Sequence, residues 1–413
     1  MDDVEATRQM MEAPEPYWDE PLGVKVYSNA TILPFRHVNS LNGQGCGIIT
    51  DTGEHVSLLD IGDQSYPYDE CDVESKDCIA ILLGLFHPMW GHCITDNIKK
   101  IWFLSSPQYQ ELKQTNSGIE MVYVSFEGFG PQGNFEELLT MIGVDVKELQ
   151  VINRPTRYRR VIVPDDSLVY NRTVAVESTN CSTIRFWTKE QKRVYDNLLN
   201  KCLTNKHKGQ RYRKIYLSRK HWSDSRDIGG GEIELRFQEI GFKVIYPEQH
   251  TLMSMLDILS GCDVLAGTEG SIMHNAVFLR DGAEVVIIRK GNYFNSYQYM
   301  INHMKGLKCT YIDSHLSYMT RKIDSAVGPF YLYVNDNLQR WIWQQTGVYK
   351  RINSFSFVRL AEYYKRIICE GIAQYVEEPF YQFRLKEEIE REGRHKYYKM
   401  VNRLLPRFFP WKY

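Results

Sequence analysis

Residues 86–104 read FHPMWGHCITDNIKKIWFL, an apolar run broken by His87, His92 and Asp96. On a helix spanning 91–104, His92, Asp96 and Lys99 fall in one narrow arc, with Ile94, Ile98, Ile101 and Trp102 roughly opposite. The i, i+4 spacing lets the Asp96 carboxylate reach the His92 ring. An imidazole held in this way is a general base suited to neutral pH. The carboxylate fixes its tautomer and steadies the imidazolium once the proton arrives. The same spacing also describes a plain ion pair at a surface or between domains. A metal held by His87, His92 and Asp96 finds nothing nearby to complete its ligand set.

The stretch 263–279, DVLAGTEGSIMHNAVFL, reads as a strand ending at Gly267, a short loop and a helix starting near Ser271. Backbone N–H groups at such a helix start, with Gly270 permitting close approach, suit a phosphate or diphosphate. Strand–glycine loop–helix crossings occur throughout parallel α/β sheets, and this one is neither a Walker A nor a G-x-G-x-x-G loop. Its polar density sets it apart: Thr268, Glu269, Ser271, His274 and Asn275 stand where a packing turn needs none of them. A third stretch, YLSRKHWSDSRDIGGGE (216–232), puts Ser218, Arg219 and Lys220 just past a strand's carboxyl end, where open α/β sheets bind ligands. Arg226 follows in the same loop, and guanidinium groups there match a diphosphate or a leaving-group charge. The alternative is a solvated basic loop. No Asp-x-Asp occurs in the chain, so any diphosphate is expected to be handled by helix N–H groups and Arg/Lys, with no bound metal.

These stretches sit on alternating elements. In the first half, 78–86, 119–126 and 159–164 read as strands, and 134–143 and 188–203 as helices. In the second half, strands at 214–218, 243–247, 263–267, 284–289 and 308–312 alternate with helices at 231–241, 251–261, 271–279 and 294–306. Strict alternation predicts parallel sheets flanked by helices. The organisation expected is a polar arm over 1–20, an α/β domain over 21–205, a second over 206–334, and a mostly helical tail over 335–413. Two such domains in tandem place a ligand in the cleft between them.

Composition narrows the classes. A chain of 413 residues with 43% hydrophobic content supports two ordinary cores. A net charge of −1 excludes a general nucleic-acid binder, although residues 391–413 carry seven Lys/Arg against one Glu, mixed with aromatic rings. That tail suits an anionic membrane surface or packing across the domains. Nine scattered cysteines, none in a C-x-x-C pair, indicate free thiols, Cys71 and Cys78 included, and a reducing compartment. No apolar segment is long enough to span a membrane and none reads as a signal peptide. A cytoplasmic protein, peripheral on the inner face of the plasma membrane, is the expectation.

In order and context, the three stretches resemble glycosyltransferase family 61, over about residues 80–290. The Gly-His-x-x-x-acid motif is matched by Gly91, His92 and Asp96. A strand ending in Ser-Arg with a downstream Arg is matched by Ser218, Arg219 and Arg226, and a GxxGxxxxNxxF turn by Gly267, Gly270, Asn275 and Phe278. The chain departs from many members in carrying Glu269 where they have His, and Gly230 and Gly231 near a position where they have Asn. The resemblance implies a GT-B-like α/β fold of two Rossmann-like domains with parallel sheets facing across a cleft. It also implies a nucleotide-sugar donor and inversion at the anomeric carbon. On that reading His92 and Asp96 are catalytic, in either order of base and orienter, with His87 and Gly91 supporting. Ser218, Arg219, Lys220, Arg226, Thr268, Glu269, Gly270, Ser271, His274 and Asn275 bind the donor. The acceptor is a saccharide or lipid-linked saccharide for a bacterial capsule or cell-surface polymer, and the only cofactor-like molecule is the nucleotide sugar. A non-catalytic nucleotide- or glycan-binding protein on a degenerate transferase fold is the alternative.

Overall fold

The computed structural model describes residues 15–38, 43–59, 62–171, 184–204, 211–223, 226–291, 295–316, 328–349, 352 and 354–366. Most of the expected polar arm, the joint at 205–210 and the basic aromatic tail at 391–413 lie outside the described residues.

The first unit opens with β1 (Val24–Val38), β2 (Gly43–Ile49) and β3 (His55–Val56), which run antiparallel to one another in sequence. β4 (Glu74–Phe86), β5 (Ile119–Ser125), β6 (Leu149–Ile152) and β7 (Thr156–Pro164) are parallel neighbours, and all seven form one sheet in the order β3-β2-β1-β7-β4-β5-β6. The alternation predicts a parallel first sheet; the structure corrects this to a mixed one. The described residues of 24–56 hold no helix, β1, β2 and β3 return antiparallel, and β1 also pairs with β7 in the opposite direction. β4 reads as a continuous apolar run because both its faces are covered. Ile79, Ile81 and Leu83 enter one buried cluster, and Ala80 and Leu82 another. Helices α1 (Trp90–Cys93), α2 (Pro107–Thr115), α3 (Asn134–Met141) and α4 (Lys189–Thr204), and the hairpin of β8 (Leu168–Asn171) and β9 (Ile184–Trp187), complete this unit.

The second unit follows the predicted alternation closely: β10 (Lys214–Leu217), α5 (Lys220–Ser223), β11 (Asp227–Ile228), α6 (Gly230–Glu239), β12 (Lys243–Ile245), α7 (Leu252–Ser260), β13 (Val264–Thr268), β14 (Glu284–Arg289), α8 (Ser296–Met304) and β15 (Lys308–Asp313). Its five-stranded sheet is wholly parallel, in the order β12-β10-β13-β14-β15. The chain leaves β10 toward β12 on one side and returns to β13 on the other, a topological switch point between β10 and β13. Side chains cap the helix starts as the sequence indicates: Thr251 accepts from Ser254 N at α7, and Asn295 from Gln298 N at α8. β16 (Phe330–Tyr331) pairs with β11, and α9 (Asp336–Thr346) closes the unit.

The two units share a core. One cluster of buried side chains runs from Ile81, Phe86, Ile98 and Tyr195 of the first unit to Leu217, Leu256, Phe278 and Met300 of the second. The architecture is mixed α/β with parallel strands and flanking helices, compatible with a Rossmann-like transferase fold.

Candidate active site

The site forms where the chain leaves β4. The helix expected over 91–104 is replaced by α1 and two 3-10 turns, Asp96–Ile98 and Ile101–Ser105. The local chemistry explains the break. Thr95 donates its hydroxyl to Gly91 O at 2.7 Å. Asn97 turns back on the strand end, accepting from His87 N and donating to His87 O, both at 3.0 Å. These side-chain bonds compete with an α-helical ladder and end it. The expected arc therefore loses Lys99, which is buried and paired with Asp166 at 2.8 Å, while Ile94, Ile98 and Ile101 enter the core as expected.

The His92–Asp96 contact survives. His92 Nδ1 lies 2.5 Å from Asp96 Oδ2, and the two side chains are 29% and 17% exposed. The same Oδ2 accepts from Thr95 Oγ1 at 3.2 Å and from the Tyr297 hydroxyl at 2.7 Å. Burial works to raise the Asp96 carboxyl, but the hydrogen bond and charge of His92, with Arg185 and Lys99, hold it well below the usual carboxylate range. His92 Nε2 meets no hydrogen-bond partner among the described residues. His87 packs its ring 4.6 Å from His92 and 4.5 Å from Phe126. Burial and the neighbouring His92 push His87 down to about 4, so it is neutral at pH 7.

The second unit closes directly on this turn. A Cβ on Gly91 would stand 3.0 Å from both Ser271 Cβ and His274 Nδ1, so a larger residue would push α1 and the 271–274 segment apart unless these side chains gave way. Trp90 Nε1 donates to Asn275 Oδ1 at 3.1 Å, and Asn275 Nδ2 donates to Ile272 O at 2.8 Å. Asn275 thus ties the two units together. His274 is buried, with the Asn295 side chain as its polar neighbour. Burial, with the charges of His92 and Arg185, brings it down to about 4, and it stands as a neutral ring 5.7 Å from Tyr297.

The helix expected at 271–279 is a buried 3-10 turn, Met273–Phe278. Its first N–H groups bond locally, Met273 N to Gly270 O at 2.9 Å and His274 N to Ser271 O at 3.2 Å. The N–H groups of Gly270, Ser271 and Ile272 make no hydrogen bond to a described residue, leaving three donors at the carboxyl end of β13. Arg219 Nη1 would stand 3.0 Å from a Cβ on Gly270, so the guanidinium lies over this turn, across the β10/β13 switch point. Behind it, Thr268 Oγ1 donates to Asp227 Oδ2 at 3.3 Å, and the buried Lys290 holds Asp227 at 2.7 and 2.9 Å. Burial pushes Lys290 down to about 8 against the pull of Asp227, and Arg219 adds to the push. Glu269 is buried, accepting from Lys290 N at 3.4 Å, and burial raises it to about 7 despite Arg289 and Lys290. Ser218 is buried too, giving its hydroxyl to Glu234 at 2.5 Å. Lys220 and Arg226 are exposed at the rim.

The sequence reading therefore brings His87, Gly91, His92, Asp96, Ser271 and His274 into one cluster. Arg219, Thr268, Glu269 and Gly270 fall into an adjoining one. It missed Tyr297, Arg185, Asp227 and Lys290. Tyr297 and Arg185 carry no local motif and reach the site only through the tertiary fold. Lys290 stands at the end of β14, in the position that marked Arg219, and strand-end placement could have found it. Among the described residues no group of three or more His, Cys, Asp or Glu gathers as a metal site, and no helix is long and apolar enough to cross a membrane. The described cysteines 46, 71, 78, 93, 262 and 309 are free thiols. A cavity of about 680 Å³ lies elsewhere, between α8, α9 and the edge strand β15.

No curated protein matches the chain. Residues 90–286 match the family model described as Glycosyltransferase 61, a span that begins at Trp90, beside the His92–Asp96 turn, and runs through the Arg219 and Gly270 loops into β14. The motif residues of both units lie inside that span, and the match supports glycosyltransferase family 61 and a glycosyltransferase activity.

Proposed function

We propose that the enzyme transfers a sugar from a nucleotide-diphosphate donor with inversion, using His92 as the general base and Asp96 as its orienter. The observation that carries this is the engagement of Asp96: Oδ2 takes donors from His92 and from the Tyr297 hydroxyl, while His92 Nε2 is left for substrate. A carboxylate so engaged and so acidic is a poor proton acceptor. In the proposed step His92 Nε2 removes the proton of the acceptor hydroxyl. That oxygen's electron pair forms the new bond to the anomeric carbon, on the face opposite the nucleotide. The bond from that carbon to the diphosphate oxygen breaks, and its electron pair leaves with the nucleoside diphosphate. Asp96 steadies the imidazolium.

The N–H groups of 270–272 and the Arg219 guanidinium support a diphosphate site at the β10/β13 switch point. With Lys290 behind them and no Asp-x-Asp in the chain, this reading assigns leaving-group stabilisation to protein donors and cations. An acceptor that is a saccharide or lipid-linked saccharide in bacterial capsule or cell-surface polymer synthesis rests on the family resemblance and on residues 391–413, outside the described residues.

The test is turnover of a panel of UDP-, GDP- and dTDP-sugars with free and lipid-linked oligosaccharide acceptors, with and without EDTA. His92→Ala is expected to lower kcat by about 10²–10⁴-fold with donor binding retained, and Asp96→Asn to do so to a smaller extent. Wild-type rates from both variants would sink the assignment, and donor binding by the wild type without turnover would favour a binding role.

A further inference from the structure

We infer that Tyr297 is a positioning residue for the catalytic pair, delivered by the second unit and set in place by Arg185. The inference rests on His92 being the base, and goes beyond it by naming what holds that base's partner.

Tyr297 lies 201 positions after Asp96 in the chain, yet its hydroxyl donates to Asp96 Oδ2 at 2.7 Å. This is the oxygen that takes His92 Nδ1. A carboxylate touched only by its imidazole is free to turn; a second strong donor on the same oxygen fixes where that oxygen stands and hence where the ring points. The tyrosine is itself fixed twice. Arg185 Cζ sits 3.7 Å over its ring, a cation–π contact, and Arg185 Nη1 donates to Ser296 Oγ at 3.1 Å. Asn295 caps the helix that begins at the next residue, so the backbone carrying Tyr297 is anchored as well.

The contact has a chemical consequence that simple packing lacks. The hydroxyl draws on the Asp96 charge that would otherwise act on His92 alone. Removing it leaves that oxygen with one anchor fewer and the direction of the His92 ring less fixed. The groups facing His92 are the His87 ring at 4.6 Å, Asp96, and the Tyr297 ring at 5.8 Å. Arg185 and Lys99 act on Asp96, and His274, packed against Gly91, acts on His92. Tyr297→Phe keeps all of these in place and deletes one hydroxyl.

The experiment is the steady-state kinetics and thermal unfolding of Tyr297→Phe and Arg185→Met, with the nucleotide sugar turned over fastest in a UDP-, GDP- and dTDP-sugar panel. Both variants are expected to lose about tenfold in kcat with donor KM within about twofold and Tm unchanged. Unchanged kcat overturns the inference. So does a fall in kcat that comes with a rise in donor KM or a matching loss of Tm, which is the result of packing alone. If Tyr297→Phe does not fold, Arg185→Met carries the same expected split between kcat and KM. His92→Ala, run alongside, separates the two levels. Normal turnover in His92→Ala removes the base assignment, whereas loss there with wild-type behaviour in Tyr297→Phe removes only the role of Tyr297.

Discussion

At the scale of single residues, titratable groups placed where charge is costly carry the most information. Glu269 is buried against Arg289 and Lys290, yet burial still raises it to about 7. The sign of its contribution follows from linkage. The native state holds this proton more tightly than the unfolded chain, so the benefit is complete below the ordinary glutamate value and lost as pH rises through about 7. Wild-type stability is therefore expected to fall between about pH 5 and 7.5, by up to about 3 kcal/mol. Glu269→Gln should flatten that slope. Urea midpoints measured across the interval decide it, and identical slopes in the two proteins would show that Glu269 ionises freely. Lys290 shows the converse arrangement, a cation pushed down toward 8 yet kept in an ion pair with Asp227, beside the three N–H donors of 270–272. The diphosphate site proposed here would gain from cations that are buried and already oriented.

At the scale of elements, two turns do the positioning, and neither is the helix that hydrophobic spacing implies. The arc containing His92 and Asp96 was legible because i, i+4 contact needs only one turn of helix, and one turn is what forms. The continuation was not legible, because Thr95 and Asn97 end the ladder through bonds to Gly91 and His87 that periodicity does not encode. The second sheet was legible nearly strand for strand, since each apolar run is bounded by glycine or a cap. The antiparallel β1–β3 region was not, because its pairing is set by neighbours distant in sequence. Contact between the two turns depends on Gly91. Gly91→Ala is expected to force α1 from Ser271 and His274, costing about 1–3 kcal/mol and raising donor KM. Thermal unfolding and donor titration together check this, and an unaltered Tm would mean that the turns do not pack as closely as 3.0 Å requires.

At the scale of the whole molecule, the pattern of strands and helices predicts two domains facing across a cleft, whereas the buried side chains join them. The main apolar cluster crosses from β4 and α4 to β13, the 273–278 turn and α8 without a break. Polar ties reinforce it. Lys305 of the second unit, 1% exposed, reaches Asp281 and, at 3.5 Å, Asp196 of α4, while Lys192 of α4 holds Asp281 at 2.8 Å. Trp90 and Asn275 add a further bond, and Tyr297 and Asp96 another beside His92. Separating the units would expose the floor of the shared core and leave Lys305 without one of its carboxylates, so an intermediate with one unit folded is costly. Cooperative unfolding in a single step follows from that cost. Tryptophan fluorescence and far-UV circular dichroism should give coincident urea transitions with one midpoint. Asp281→Asn should lower that midpoint while keeping the two curves superimposed, by about 1–3 kcal/mol, because Asp281 is half exposed and water replaces part of what Lys305 loses. Two resolved transitions in the wild type would instead mean that the two units are independently stable domains, and that Tyr297 of one meets Asp96 of the other only when they close.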